Sequence, residues 1–183
     1  TSCSGNRIMS ELIYGTNLVL AALNSGIKIN NLRINGNNKI ISLAKEKNAP
    51  YQLVGKEVLN RITPNHQGVI AEVEGFKTYG INEIISQTNN LILALDGVED
   101  PHNLGAILRT SDAAGINGII LPKNRSVKLN ATVAKVSTGA IFSVKCVEVV
   151  NLVATLKDLK TKGYWIVGAE ATENSRPYTE IQY

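Results

Sequence analysis

Fifteen residues decide the fold: Leu91-Ile92-Leu93-Ala94-Leu95-Asp96-Gly97-Val98-Glu99-Asp100-Pro101-His102-Asn103-Leu104-Gly105. The first five form a continuous apolar run, which is typical of a strand buried on both faces of a parallel sheet. Pro101 ends the extended segment, because the residue before a proline is restricted to extended geometry. Asn103 is then a good N-cap for a helix. The stretch therefore predicts a strand, a loop and a helix. The loop after the strand is the place where open α/β sheets bind ligands.

Strands and helices alternate on both sides of this stretch. Downstream we predict helices over 103–114, 130–138 and 151–160, and strands over 118–121, 144–149 and 164–169. Such alternation indicates a parallel sheet with right-handed crossovers. Upstream the pattern predicts strands over 32–34, 51–54 and 69–73, and helices over 18–23, 39–47 and 56–61. The sequence therefore divides into a small α/β domain over 1–75, a more polar linker over 76–90, and a second α/β domain over 91–183.

Composition excludes several classes of protein. The 183 residues carry a net charge of +4, a weak indication of an anionic partner such as nucleic acid. No apolar run approaches the roughly 20 residues of a membrane span, and Thr1–Arg7 lack a signal core. Cys3 and Cys146 lack CxxC spacing and only two histidines are present, which argues against a disulfide scaffold or a metal site. We expect a cytoplasmic protein without metal or membrane.

Three residues in or just before the predicted helix over 103–114 have competing interpretations. Gly105 costs about 1 kcal/mol in a helix relative to alanine, and either close approach of a ligand backbone or tight packing would explain it equally well. Arg109 lies one step from the apolar stripe; for a lone arginine, a solvated flank or a pair with Asp112 is the more frequent explanation. His102 could share a side of the helix with Arg109, but an exposed loop histidine is the more frequent case.

The motif D-G-V-E-D-P-H-N-L-G-A-I-L-R-T, with Asn103 and Arg109 at its N-x-x-x-x-x-R positions, resembles motif 1 of the SpoU (TrmH) family. These proteins are RNA ribose 2′-O-methyltransferases of the SPOUT class. The resemblance continues through 111–121 and the segment Lys135–Ala140. Tyr14-Gly15 and residues 66–71 resemble the RNA-binding domain that precedes the catalytic domain in bacterial members. The fold implied is an α/β-knot methyltransferase domain preceded by a small α/β RNA-binding domain.

The resemblance implies an activity and its residues. A methyl group would pass from S-adenosyl-L-methionine (AdoMet) to a ribose 2′-hydroxyl, most similarly to the 23S rRNA guanosine branch, with the tRNA branch close. Arg109 would activate the hydroxyl. Because an arginine with a pKa above 12 rarely gives up its proton to act as a base, the alternative is that it binds the adjacent phosphate. Asn103 would position Arg109 or the nucleotide. Gly105 and His102 join the candidate RNA contacts.

A basic stretch follows motif 1. Residues 113–147 contain five cations and no acidic residue: Lys123, Arg125, Lys128, Lys135 and Lys145. Scattered lysines are usually a solubilising surface, but the position beside motif 1 favours phosphate contact by Arg125 and Lys128. Because aromatic residues make up only 5% of the chain, we expect backbone and shape contacts rather than base stacking to dominate.

The chain departs from the family pattern after Ala169. The G-x-E-G and S-L-N motifs, which form the knot and most of the AdoMet pocket in the family, do not occur. No AdoMet-binding residue is therefore assigned. We expect a domain truncated before the knot, either as part of a longer protein or as an inactive shortened form. The first is favoured, because a strand over 164–169 would leave an open sheet edge. The complete protein would be a homodimer.

Two functional hypotheses follow. The complete protein is an AdoMet-dependent RNA 2′-O-methyltransferase, favoured by Asn103 and Arg109; or this chain is a non-catalytic RNA-binding module, favoured by the two missing motifs. A dehydrogenase fragment is disfavoured, because no G-x-G-x-x-G fingerprint is present.

Overall fold

The computed structural model describes residues 10–85, 91–170, 172–173 and 175–180. The chain forms two compact units, Thr1–Val150 and Asn151–Tyr183. Each unit is described by itself.

The first unit begins with a mixed four-stranded sheet. Its strands are β1 (Ser10–Tyr14), β2 (Ile29–Ile34), β3 (Tyr51–Leu53) and β4 (Val69–Glu74), in the order β1-β4-β2-β3. β4 is antiparallel to both β1 and β2, whereas β3 is parallel to β2. The connections contain helices α1 (Thr16–Ser25), α2 (Asn38–Glu46) and α3 (Lys56–Asn60). The predicted elements of this region are confirmed, and β1 is an additional strand that the sequence analysis did not predict.

Local chemistry explains where these helices begin and end. α1 ends at Gly26, which adopts the left-handed conformation (φ 76°) that favours glycine at a helix C-terminus. α2 begins after Asn37, whose side-chain oxygen accepts a hydrogen bond from the Ile40 amide at 3.2 Å. Alternate residues of the strands, among them Ile13, Leu32 and Val73, are buried against these helices.

The same unit contains a parallel three-stranded sheet, as predicted. Its strands β5 (Ile92–Ala94), β6 (Gly118–Pro122) and β7 (Cys146–Val149) lie in the order β5-β6-β7. α4 (Pro101–Ala113) connects β5 to β6, and α5 (Ala131–Val136) lies between β6 and β7. The central strand β6 is the buried one, with Ile119, Ile120 and Leu121 at most 1% exposed.

Two strand predictions are corrected. β5 was expected to be buried on both faces, but it is an edge strand of the described sheet; its residues are half-buried and the preceding Leu91 is 61% exposed. The predicted strand over 164–169 does not form. The second unit contains α6 (Leu152–Thr161), capped by Asn151, and a 3-10 turn over Tyr178–Glu180. Because a strand requires a hydrogen-bonded neighbour, and the described residues of this unit provide none, 164–170 stay irregular.

The two sheets of the first unit share one hydrophobic cluster. α1 packs on the segment that follows α5: a Cβ built on Gly139 would lie 2.6 Å from the Cβ of Ala21. Part of the predicted linker is also fixed, since the Tyr79 amide donates to the Cys146 carbonyl of β7 at 2.8 Å. Ile81–Glu83 form a 3-10 turn and residues 84–85 are not helical; the remainder of the turn expected over 81–87 lies outside the described residues.

Candidate nucleic-acid interface

α4 begins two residues earlier than Asn103, the predicted N-cap. Asp100 is the N-cap: its backbone is extended and its Oδ1 accepts a hydrogen bond from the His102 amide at 3.0 Å. Pro101 occupies the first helical position, where its missing N–H requires no partner. Asn103 is thus the third residue of the helix, and its exposed side chain has no capping role.

The remaining candidates on α4 divide between its two faces. Leu104, Gly105, Leu108 and Ser111 are buried, whereas His102, Asn103 and Arg109 are exposed. Seven residues separate His102 from Arg109, so the two share a side of the helix, about 10 Å apart along its axis. Asn103 is rotated from Arg109 by about 120° around the axis. Among the described residues Arg109 forms no ion pair with Asp112 or any other carboxylate, which leaves its guanidinium available to an external anion.

Gly105 packs against α5. A Cβ at this position would lie 2.6 Å from Cγ1 of Val136 and 3.1 Å from the amide nitrogen of Ser137. Either distance is too short for a real side chain without movement of α5. This favours the packing explanation of the glycine over approach of a ligand, and the packing partner is helix α5.

The loops that follow β5 and β6 meet at the carboxyl edge of the sheet. The Val127 amide donates to the Val98 carbonyl at 2.9 Å, which joins the loop before α4 to the loop before α5. Arg125 and Lys128 flank this contact and are both exposed. Arg125 has a left-handed backbone conformation (φ 58°). The structure therefore brings the two predicted phosphate contacts next to the start of α4.

Two other cations of the basic stretch are held by contacts to protein groups. Nζ of Lys135 donates to the hydroxyl of Tyr14 at 3.2 Å and lies 4.5 Å from the centroid of its ring. Nζ of Lys145 donates to the carbonyl of Glu83 at 2.9 Å. All four side chains are exposed, but Lys135 and Lys145 are each anchored to another part of the protein.

Sequence reasoning missed a polar cavity of 510 Å³ beside β4, lined by Lys56, His66 and Gln67 among others. His66 is buried; its Nε2 donates to Oδ1 of Asn60 at 3.0 Å and its Nδ1 accepts from the Gly68 amide at 2.8 Å. Gln67 and Gly68, which line the cavity, both have positive φ. In the sequence, only Gly68 indicated such a conformation, because glycine adopts positive φ readily.

Other sites considered from the sequence can be located in the structure. Cys146 is buried with a free thiol, and burial, with a smaller effect of Glu148, raises its pKa to about 12. Cys3 lies outside the described residues. Across the part of the chain that is described, no three His, Cys, Asp or Glu side chains are grouped as metal ligands. In the same part, every helix is too short or too polar to cross a membrane.

Comparison with known families gives the geometry its context. Residues 90–183 match the model of the SpoU rRNA Methylase family. The chain belongs to the SpoU family of RNA methyltransferases. Residues 12–79 match a second model, described as RNA 2′-O ribose methyltransferase substrate binding. The resemblance and the α/β methyltransferase fold predicted from the sequence are therefore confirmed.

Similar proteins support this membership of the SpoU family. A protein named as a TrmH family tRNA/rRNA methyltransferase from Staphylococcus saprophyticus is 42% identical, over 94% of this chain and 74% of its own length. An AdoMet-bound rRNA methyltransferase from Sinorhizobium meliloti is 29% identical with a TM-score of 0.62, over 76% of this chain and 54% of the other. A crystal structure of an RNA 2′-O ribose methyltransferase is 26% identical with a TM-score of 0.67, over 85% and 61%. The chain thus spans about three quarters of the curated relative and 54–61% of these two structures.

The acidic side chains at the carboxyl edge of β5 do not enclose a small molecule. A small-molecule site buries most of its ligand, but Asp96, Glu99 and Asp100 at the carboxyl edge of β5 are exposed. In the second unit, Trp165 is 86% exposed. We assign no residue of this chain to the cofactor, and no step below depends on it.

Proposed function

We propose that the complete SpoU-family protein transfers a methyl group from AdoMet to a ribose 2′-hydroxyl of RNA, with a guanosine of 23S rRNA as the preferred substrate. The observation that carries the proposal is the Val127–Val98 hydrogen bond, because it unites the loop of Arg125 and Lys128 with the start of α4. The alternative is a nucleotide of tRNA, consistent with the name shared by the staphylococcal relatives.

Arg109 is the residue on which the chemistry depends. A ribose hydroxyl is a poor nucleophile, so it must be held in line, and its proton must pass to a base, here solvent water, as the new O–C bond forms. The exposed guanidinium of Arg109 offers up to five N–H donors for a phosphate. In the proposed role it binds the phosphate next to the reacting ribose and fixes the 2′-oxygen. His102, on the same side of α4, and Asn103 would contact the flanking nucleotides.

The rest of the chain supplies RNA binding. Arg125 and Lys128 contact phosphates on the strand that crosses the carboxyl edge of the parallel sheet. We assign substrate binding to the domain over 1–75 and methyl transfer to 91–183, joined through 76–90. Dimerisation and a cytoplasmic location of the complete protein belong to the same proposal.

The test measures methyl incorporation into unmodified 23S rRNA and tRNA by the complete protein. Arg109→Ala lowers kcat by about 100-fold, the loss expected when a reacting group is misplaced by about 1 Å, whereas the exposed Arg61→Ala control leaves kcat unchanged. A 2′-O-methyl group makes the following phosphodiester resistant to alkali, so modified RNA yields alkali-stable dinucleotides. An alkali-labile product, or an Arg109→Ala enzyme with normal kcat, would overturn the proposal.

A further inference from the structure

A cleft of 780 Å³ lies inside the first unit, between the N-terminal sheet and the segment around α5. One wall consists of residues 25–28 and 74–77 with Tyr79, and the other of Leu129, Ile141 and Phe142. Its volume falls in the range of small-ligand sites, which concentrate where two structural layers meet. None of the candidates on α4 lines it.

The floor of the cleft is aromatic. The rings of Phe76 and Phe142 have centroids 5.7 Å apart and are tilted by 37°. These are the only two phenylalanines of the chain, and both are half-buried. Each therefore keeps part of its ring accessible, which is what stacking of a planar group requires.

The rim of the cleft carries both signs of charge. Glu11 and Glu74 provide carboxylates, and Lys28 and Lys77 provide ammonium groups. Glu74 binds Lys28 at 3.1 Å through Oε1, and the Lys28 side chain is 69% exposed. Nζ of Lys77 lies 4.4 Å above the ring of Tyr79. Carboxylates accept hydrogen bonds from the N–H groups of a base edge, whereas lysines bind phosphate.

Hydrogen bonds hold the first wall in place, and one of them joins it to the segment around α5, before any ligand arrives. The Glu74 amide donates to the Lys28 carbonyl at 2.9 Å, and the Tyr79 amide donates to the Cys146 carbonyl at 2.8 Å. On the opposite side, Oε2 of Glu11 accepts from the Ala131 amide at 3.3 Å. A preformed cleft loses little conformational entropy when it binds a ligand.

We infer that this cleft binds one unpaired nucleobase of the RNA substrate, stacked on Phe76 and Phe142, with its phosphate at Lys28 and Lys77. The inference rests on the proposed RNA substrate. The cleft adjoins the proposed RNA-binding surface, because the lining residue Leu129 directly follows Lys128, the proposed phosphate contact. This supports an RNA nucleotide as the occupant. Charge supports it too, since one nucleotide presents N–H donors at its base and an anion at its phosphate. Unpaired bases are the part of RNA that proteins bind by stacking on aromatic side chains.

Two RNA probes distinguish this inference from the proposed function. They are a fluorescein-labelled single-stranded 12-mer of mixed sequence and a fully paired duplex of the same length, both titrated by fluorescence anisotropy. Phe76→Leu keeps an apolar side chain but removes the ring. It weakens binding of the single strand about 5- to 150-fold, from the measured range for base stacking, and leaves duplex binding unchanged. The control Val153→Ala in α6 removes a side chain that is 62% exposed and lies outside both the cleft and the substrate-binding domain, and it changes neither affinity.

Failure of the cleft inference and failure of the proposed function give different results. If Lys128→Ala weakens binding of both probes but Phe76→Leu weakens neither, the cleft inference fails and the proposed function stands. If the wild-type protein binds neither probe, both fail. Ultraviolet cross-linking of the wild-type protein to the single strand provides a readout that does not depend on how the variant folds. Cross-linked peptides that contain Phe76 or Phe142 support the inference, and their absence among the cross-links overturns it.

Discussion

Replacing Gly105 by alanine tests the packing of α4 on α5 directly. The added methyl group would lie 2.6 Å from Cγ1 and 2.7 Å from Cβ of Val136, and 3.1 Å from the amide nitrogen of Ser137. Val136 is β-branched and has few alternative rotamers in a helix, and the Ser137 nitrogen belongs to the backbone. The clash is therefore relieved only by moving α5.

The size of the effect follows from two opposing contributions. Forcing an extra methyl group into a packed site costs about 1–3 kcal/mol. Alanine gains back about 1 kcal/mol over glycine in helix propensity. We expect Gly105→Ala to lower the free energy of unfolding by up to about 2 kcal/mol, which corresponds to a decrease in Tm of up to about 8 °C for a protein of this size.

The assay is urea unfolding of four proteins: wild type, Gly105→Ala, Val136→Ala and the double variant. Val136→Ala removes Cγ1 but keeps Cβ, which lies 2.7 Å from the added methyl group. The double variant therefore relieves part of the clash and should be more stable than the sum of the two single effects predicts, by about 0.5 kcal/mol or more. RNA affinity is measured on the same four proteins.

Two results would refute the reasoning. One is a Gly105→Ala protein that is more stable than the wild type by about 1 kcal/mol, the full gain in helix propensity, which would show that α5 yields without cost. The other is a cycle that is additive within error. A normal stability together with weakened RNA binding would instead restore the explanation that Gly105 allows the RNA backbone to approach.

Two further predictions concern single residues. In a Cys3→Ser variant, the Cys146 thiol should not react with a thiol reagent at pH 8 in the folded protein, because burial raises its pKa to about 12; rapid labelling would contradict this. The unfolded thiol ionises above roughly pH 8.5 while the folded one stays protonated, so the contribution of Cys146 to stability should decline as pH rises from there to about 12, and a Cys146→Ala comparison in urea isolates it. Arg125→Gly should leave stability equal or higher, since glycine adopts φ 58° without strain. The same variant should weaken RNA binding and reduce the slope of log affinity against log salt by about 1, and an unchanged slope would remove Arg125 from the interface.

Much of the fold is predictable because its elements carry their own signals. The parallel sheet follows from the alternation of β5, α4 and β6, and Gly26 marks the end of α1 through its left-handed backbone. β1 was missed because a five-residue edge strand is defined by its partner β4, which lies far along the chain. The failed strand over 164–169 is the converse case: its residues favour a strand locally, but the described residues of its unit supply no partner.

The candidate site was predictable in composition rather than in geometry. Asp100-Pro101 contained a sufficient signal for the true start of α4, since proline favours the first helical position and aspartate the N-cap. The pairing of Val127 with Val98 depends on two loops more than 25 residues apart, and no local pattern encodes it. For the same reason the separation of Lys135 from Arg125 and Lys128 required the position of Tyr14.

The hydrophobic cluster shared by the two sheets has a consequence for dissecting the protein. Leu18, Ala22 and Ile13 of the N-terminal region belong to the same cluster as Leu104, Val133 and Ile141. A fragment that ends near residue 79 would expose the face of α1 that packs on Gly139. The substrate-binding region and the parallel sheet should therefore melt together in one transition rather than as independent modules. A destabilising substitution in either should lower the amount of folded protein as a whole.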